Sequence, residues 1–591
     1  MTKAGALCRI VLTLGLVLTC STEAQATKAP PRPAEQTGWG GGVSSVDPDA
    51  TAAGVEVLRR GGNAVDAAVA TAAALGVTDP FSTGIGGGGF LLYYDALTGR
   101  VHTIDGRETA PAAANPDLFV ENGAAMPFDD ARTSGLAVGV PGNPATWQTA
   151  LRRWGTLSLS GALRPAEMLA RRGFVVDETF NRQITQNAAR FADFTSSRDL
   201  YLPGGNAPAV GSTFRNPELA DTLGELARTN LASLYGGAIG HDLVQAVQHP
   251  PLAPESKRAA RPGGMTVSDL RNYRTTAPEA TQIRYRGLDI YSTASPSGGA
   301  TTGEVLNIVE NTDLRKASET QYLHRFMEAT KLAFADRSQW VGDPAFIDVP
   351  ARELASQRFA DSRACLVSAT KALPAPVSPG SPRDPKPCAT TGDQVLPSAE
   401  EERTTHLVVS DRWGNVVSYT STIEAEGGNG VVVPGRGFLL NNELTDFSFT
   451  PTVPGDPNLP AAGKRPRSAM SPVIVLNRGK VLLAAGSPGG ATIITTVTQL
   501  LTQRLDRGKS LLEAIAAPRV SQRNSAVTPA EPAFLASPER AELERLGHQF
   551  SSTPEIGAAT AIELLPDGRW HAVAEPVRRG GGAARVAVPS F

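Results

Sequence analysis

Apolar residues follow a helical period over 49–60 and stop at Gly61-Gly62, which predicts an amphipathic helix closed by glycine. Residues 63–75 are alanine-rich and apolar nearly all round, predicting a second helix that is buried on every side. The pattern then changes. A glycine run, 84–89, leads into Phe90-Leu91-Leu92-Tyr93-Tyr94, a strand, and a return strand over 101–105 delivers Arg107-Glu108-Thr109-Ala110-Pro111. From 138 to about 272 the period is mainly helical, with helices opening near Gly142 and Pro165. A strand over 284–291 leads into a loop, 295–300, and 326–337 is strongly helical. Residues 367–403 lose all period. Pro374, Pro376, Pro379, Pro382, Pro385, Pro387 and Pro397 punctuate them, and they read as a linker. A strand begins abruptly after it, at Thr404-Thr405-His406, turns at Asp411-Arg412-Trp413-Gly414-Asn415 and continues over 416–423. Further on, 471–476 and 481–485 form a hairpin, and Gly486-Ser487-Pro488-Gly489-Gly490 opens a helix over 491–501. Helices and strands mixed through one long chain, without a solenoid repeat, place it in the α/β class.

Composition narrows the function classes. A length of 591 residues is enough for one large α/β unit. A net charge of −2 and a pI near 6.4 give no basic field for nucleic acid. Lys3 and Arg9, the apolar run 10–18 and Ala24-Gln25-Ala26 read as a signal peptide over 1–26. Its apolar run is too short for a stable membrane anchor. Cys20 raises a lipoprotein alternative, but Leu18-Thr19 matches that signal poorly. The expectation is a secreted or periplasmic protein with a disordered spacer over 27–40. Of the cysteines beyond the signal, Cys365 and Cys388 are expected to pair in an oxidising compartment.

The chemistry concentrates at few places. Gly84-Ile85-Gly86-Gly87-Gly88-Gly89 satisfies G-x-G-x-x-G, but a strand follows it where a dinucleotide site needs a helix. The glycines are therefore expected to serve close backbone approach, and no cofactor is expected. The histidines His102, His241, His249, His324, His406, His548 and His571 show no ligand spacing, so no metal is expected. The charged stretch Glu401-Glu402-Arg403 ends where the threonine strand starts. A cut there creates an N-terminal threonine, its hydroxyl a nucleophile and its own α-amine the base. That amine titrates near pH ~7.7–8.0, which suits general-base work at neutral pH. His406 shares the strand face of Thr404, but the amine already supplies the base, so a packing or hydrogen-bonding role is expected. Amides of Gly489-Gly490 at a helix N-terminus suit a developing oxyanion. Arg107, after the glycine hairpin, has the fork geometry that holds a carboxylate.

Taken together these stretches resemble the γ-glutamyltransferase (glutathione hydrolase) family of N-terminal-nucleophile hydrolases, over nearly the whole chain from about 40 to 590. The resemblance rests on Gly61-Gly62-Asn63-Ala64-Val65-Asp66, Gly86-Gly87-Gly88-Gly89-Phe90, Arg107-Glu108-Thr109-Ala110-Pro111, Thr404-Thr405-His406, Leu440-Asn441-Asn442-Glu443-Leu444-Thr445-Asp446-Phe447, Lys464-Arg465-Pro466-Arg467-Ser468-Ala469-Met470 and Gly486-Ser487-Pro488-Gly489-Gly490. It implies a four-layer αββα sandwich, one domain made as a precursor that cuts itself between Arg403 and Thr404. The large subunit, 41–403, and the small subunit, 404–591, would remain a heterodimer. The choice of Thr404 over Thr405 comes from the resemblance. So do the roles it implies: Thr422 beside the nucleophile, Gly489 and Gly490 as oxyanion hole, Arg107 and Ser468 on the glutamyl α-carboxylate, Glu443 and Asp446 on its α-ammonium. The implied partners are glutathione and other γ-glutamyl compounds, with amino acids or peptides as acceptors.

The chain departs from the family pattern at three places. Glu424 stands where familiar members have Asn, Ala469 stands where many have a second Ser, and the loop over 450–460 looks shorter than the lid of some bacterial members, which predicts a more open pocket. These substituent changes keep a second enzyme reading in view: a cephalosporin (glutaryl) acylase or a poly-γ-glutamate-cleaving enzyme with the same nucleophile. A non-catalytic binding protein on the same fold is a third reading, and the intact set Thr404, Thr422, Asp446 and Gly489-Gly490 opposes it.

Overall fold

A computed structural model describes residues 30–259, 261–391 and 404–589. The predicted signal, 1–26, and Arg403 lie outside the described residues. The large sheet is built from β1 (Glu35–Ser45), β2 (Gly88–Asp95), β3 (Arg100–Gly106), β4 (Thr281–Tyr285), β5 (Leu288–Ser292), β6 (Thr405–Ser410), β7 (Val416–Thr422), β8 (Val473–Asn477), β9 (Lys480–Gly486), β10 (Thr560–Leu564), β11 (Trp570–Ala574) and β12 (Ala583–Pro589). Its hydrogen-bonded order is β3-β2-β7-β6-β1-β11-β10-β9-β8-β5-β4, with β12 also on β1. The pairings are antiparallel.

Two sequence expectations need correction here. Order begins earlier than 41, because β1 starts at Glu35 and already pairs with β11 through Glu35–Gly38. The signal was hidden by glycines that the neighbouring strand requires: a Cβ on Gly38 would sit 2.0 Å from the Val588 carbonyl oxygen. The single strand expected over 284–291 is a hairpin, β4–β5, turned on Arg286 (φ 51°) and Gly287 (φ 79°). Positive φ at both turn positions matches the right-handed twist of the strands.

The central strands are buried on both faces, and their alternation assigns residues to different apolar layers. Leu91 and Tyr93 of β2, with Leu407 and Val409 of β6, pack against α1 (Pro48–Arg59) and α2 (Ala64–Thr78). The intervening Leu92, Tyr94 and Val408 join Ile474, Leu476, Ala484 and Ile562 in a cluster that holds strand and loop residues but none from these helices. Val473 and Val475 of β8 face a third cluster with α3 (Gly299–Glu310), α4 (Glu319–Trp340) and α5 (Ile493–Leu505). As expected, α2 is buried almost throughout, and Asn63 with Asp66 forms its capping box.

The Pro-rich segment is not free over its described part. Cys365 and Cys388 form the expected disulfide. Val377 N–H donates to Asn524 Oδ1 (2.7 Å), Trp340 Nε1 donates to the Gly380 carbonyl (3.0 Å), and Ala372 N–H donates to the Leu546 carbonyl (2.7 Å). A buried group whose convergence the sequence spacing did not reveal, His324, Glu328 and His548, anchors the same segment. His324 Nδ1 meets His548 Nε2 (2.8 Å) and its Nε2 meets the Ser368 carbonyl (2.7 Å). Glu328 accepts from Lys331 Nζ (2.7 Å) and Leu373 N–H (2.8 Å). With a lysine on the carboxylate and both imidazoles bonded, these groups hold chain to chain. Among the described residues, no helix is long and apolar enough to cross a membrane.

Candidate active site

Thr404 sits at the head of β6, with β7 alongside it: Thr405 pairs with Ser421, and Thr422 pairs with Gly88 of β2. This register sets the Thr404 hydroxyl 3.4 Å from Thr422 Oγ1, to which it donates. Thr422 Oγ1 in turn accepts from the Glu424 N–H at 2.8 Å. The glycines before β2 are explained by the same neighbourhood. A Cβ on Gly87 would lie 2.0 Å from the Thr422 carbonyl oxygen, and one on Gly89 2.3 Å from that of Thr420. The run is thus a close-approach device in the strands next to Thr404, as expected. Glu424 has φ 77°, in the left-handed region that a long side chain rarely occupies. Asn442 holds it there, its Nδ2 donating to Glu424 and its Oδ1 accepting from Ala425 N–H (3.0 Å).

Thr404, Thr422, Glu424, Glu443, Asp446, Arg107, Ser468, Ala469 and Gly490 line one cavity of about 20 Å³, together with Met470 and Ile493. That is room for about one water. The residues come from the end of β3, the 3-10 turn Glu443–Asp446, the loop before β8 and the head of α5. Arg107 is buried, and its guanidinium is ion-paired to Glu443 and to Asp446. It also donates to the Arg467 carbonyl at 3.0 Å. Ser468 Oγ accepts from Met470 N–H at 3.2 Å. The loop expected to leave the pocket more open stays clear of the cavity. The loop over 450–460 does fold on itself, Asp456 accepting from Thr452 N–H at 2.9 Å, and contributes nothing to the cavity wall.

The expected oxyanion pair is divided. Gly490 lines the cavity of Thr404, whereas Gly489 lines a second cavity. Gly489 (φ 135°) and Gly490 (φ 51°) hold backbone that other residues avoid, and a 3-10 turn Gly490–Thr492 precedes α5, where the sequence predicted α-helix from 491. Thr492 N–H donates to the Gly489 carbonyl (2.9 Å), so that carbonyl is turned into the helix start. A residue the sequence reading missed, Arg579, donates from Nη1 to the Thr404 carbonyl at 2.7 Å. Its signal was the pair Arg578-Arg579 before Gly580-Gly581-Gly582, which carries no chemistry when read alone.

Thr405 is buried, and its hydroxyl has no partner among the described residues and does not reach the cavity. His406 bonds Thr420 Oγ1 through Nδ1 at 2.8 Å, and burial pushes its pKa down to about 3. A neutral, packed imidazole matches the expected structural role. Glu108 lies next to Arg107. Both its carboxyl oxygens are buried without a hydrogen-bond partner among the described residues, and burial raises its pKa from 4.5 to about 8. It therefore stays protonated in the folded protein where the unfolded chain would ionise, and stability falls as pH rises from 4.5 to about 8. The slope from this group is about 1.4 kcal/mol per pH unit. Glu108→Gln is expected to flatten it, so that in urea titrations the variant's midpoint gains on wild type between pH 5 and 8. A constant difference across that range would refute the assignment.

Comparison with known proteins agrees with this geometry. Residues 50–585 match the family model for gamma-glutamyltranspeptidase. The glutathione hydrolase proenzyme of Bacillus subtilis strain 168 is 36% identical over 94% of this chain and 94% of its own. The acylase ACY 1 proenzyme of Pseudomonas sp. strain V22 is 35% identical over 93% of this chain and 95% of its own. The solved structure of a cephalosporin acylase from Bacillus halodurans superposes with a TM-score of 0.82 at 27% identity, covering 96% of this chain and 99% of that one.

Proposed function

The chain belongs to the gamma-glutamyltranspeptidase family, and on that premise we propose that it is a glutathione hydrolase/γ-glutamyltransferase that cuts itself at Arg403-Thr404. The Thr404 hydroxyl attacks the Arg403 carbonyl carbon and the peptide C–N bond breaks, leaving an ester and a free α-amine; water then opens the ester. In turnover that amine takes the hydroxyl proton as Oγ attacks the γ-carbonyl of the donor. The oxyanion forms against the Gly489-Gly490 turn, of which Gly490 lines the same cavity as Thr404. Collapse expels the donor amine, which takes the proton back, and the acyl-threonine passes to water or to an acceptor amine.

The observation that carries the reading is the charge array beside Thr404: one guanidinium, Arg107, between the carboxyl groups of Glu443 and Asp446. It is complementary to a head group that bears a carboxylate and an ammonium together. A glutaryl group brings the carboxylate alone and would leave the two acidic partners unmatched, which costs binding. The acylase relatives favour the runner-up, a glutaryl or cephalosporin acylase. Release of nitroaniline from γ-glutamyl-p-nitroanilide and from glutaryl-p-nitroanilide decides between them. The expected ratio of kcat/KM is about 100-fold in favour of γ-glutamyl; the reverse ranking would make the chain an acylase.

The two subunits, divided at Arg403-Thr404, stay together in this reading because their strands interleave. β7 pairs with β2, and β1 pairs with β6, β11 and β12. The layering of apolar clusters, helix–strand, strand–strand and strand–helix, supports the four-layer αββα arrangement. Export through residues 1–26 is part of the proposal, and the Cys365–Cys388 disulfide supports an oxidising compartment.

A further inference from the structure

Hairpin turns gather at the end of the large sheet away from Thr404. β6 carries the chain from Thr405 to Ser410, a rise of about 20 Å, and enters the turn 411–415. The β2–β3 turn, 95–100, lies beside it, because Ala96 N–H donates to Asn415 Oδ1 (3.0 Å). Tyr94 Oη donates to the Gly479 carbonyl (2.8 Å), which brings in the β8–β9 turn. Trp570 Nε1 donates to the Asp411 carbonyl (3.2 Å), which brings in the β10–β11 turn. Trp39 of β1 adjoins that turn, with the Arg569 guanidinium 5.9 Å from its ring centre and Val588 as its partner in register. Large apolar side chains stand in solvent here: Leu97 is 94% exposed, and Trp39, Trp413 and Val588 are each exposed by half or more. Cations surround them. Arg100, Arg412, Arg478 and Lys480 are exposed and make no ion pair among the described residues. Arg412 stands 4.3 Å from the Trp413 ring centre. The acidic residues of the same turns are engaged. Asp567 pairs with Arg569 (2.7 Å), Asp411 is buried and accepts from Ala64 N–H (2.9 Å), and Asp95 accepts from Leu97 N–H (2.9 Å). The whole chain carries a net charge of −2, so this basic character is local.

We infer that these turns dock the protein, as a reversible peripheral contact, on an anionic lipid bilayer. Leu97 and the bodies of Trp39 and Trp413 enter the boundary between headgroups and acyl chains, and the cations around them meet lipid phosphates. Tryptophan suits that boundary because its ring is apolar while its N–H stays in the wet layer. Arginine and lysine suit it because their stems lie along apolar surface while their charged ends remain at headgroup level. A turn-tip residue nearly free of neighbours, as Leu97 is, fits insertion into a fluid layer better than packing on a rigid partner. Thr404 lies at the other end of β6, so the docked protein keeps its active-site cavity away from the lipid.

The test is co-sedimentation of the purified protein with vesicles of phosphatidylcholine alone and of an equal mixture of phosphatidylcholine and phosphatidylglycerol. At low salt, partition onto the mixture is expected to exceed that onto phosphatidylcholine by about 10-fold or more, and to weaken as salt is raised. Arg412→Glu with Arg478→Glu is expected to lower partition onto the mixture by about 100-fold. Leu97→Ser with Trp413→Ser leaves every charge in place and is expected to lower it by about 10-fold. Urea midpoints near that of wild type report that both double variants are folded, so the outcome is independent of which donor the active site takes. No binding to the mixture, equal binding to both kinds of vesicle, or binding that survives both double variants would each overturn the inference. Self-association without vesicles that either double variant abolishes would also overturn it, making the surface an interface between copies of this chain. Retention on a sulfated polysaccharide with no binding to lipid would overturn it in favour of an anionic polymer.

Discussion

Thr404→Ala is expected to give one uncut polypeptide on a denaturing gel where wild type gives two, and to lower turnover by about 10⁴-fold or more. One atom does two tasks in this reading. The hydroxyl is needed to open the Arg403-Thr404 bond, and the same hydroxyl, beside the amine so released, is needed for every later cycle. The neighbouring residue supplies the control. Thr405 Oγ1 has no partner among the described residues and faces away from the cavity, so the isosteric Thr405→Val should still cut and turn over within about 3-fold of wild type. N-terminal sequencing of the smaller fragment should read Thr-Thr-His. A cut Thr404→Ala chain, or a fragment beginning elsewhere, would remove the basis of the mechanism.

What the chain revealed before its structure depends on how local each signal is. The break from charged linker to threonine strand is written in adjacent residues, and so the head of β6 was found. The glycines 86–89 were correctly placed as a close approach, because a strand follows them. Thr404 and Thr405 are chemically alike in sequence, and only the family resemblance separated them; the structure adds the physical difference, a hydroxyl in the cavity against one packed in the sheet. Contacts between distant segments left no local trace. Arg579 reaches Thr404 across 175 positions, and His324 meets His548 across 224. The segment after 367 read as a linker because its prolines abolish any period, yet it is fastened by single hydrogen bonds to side chains elsewhere. Such bonds require no periodic pattern.

The Arg107 array yields the second large effect. Arg107→Ala removes the cation that buried Glu443 and partly buried Asp446 both contact, and it removes the anchor for the donor carboxylate. The stability cost of stranding Glu443 and Asp446 is about 3–5 kcal/mol, and kcat/KM for γ-glutamyl-p-nitroanilide should fall about 10³-fold. Two comparisons separate these contributions. Adding Glu443→Gln and Asp446→Asn to Arg107→Ala should recover most of the lost urea midpoint, since no charge is then left buried alone, without recovering activity. A donor lacking the α-carboxylate, 4-aminobutyryl-p-nitroanilide, should feel the loss of Arg107 far less than the γ-glutamyl donor does. Arg107→Lys should fall between, because a single ammonium cannot span Glu443, Asp446 and a third carboxylate as the planar fork can. If both donors lost activity equally, Arg107 would be holding the acidic pair and not the substrate. The specificity of the site would then have to come from Glu443 and Asp446 alone.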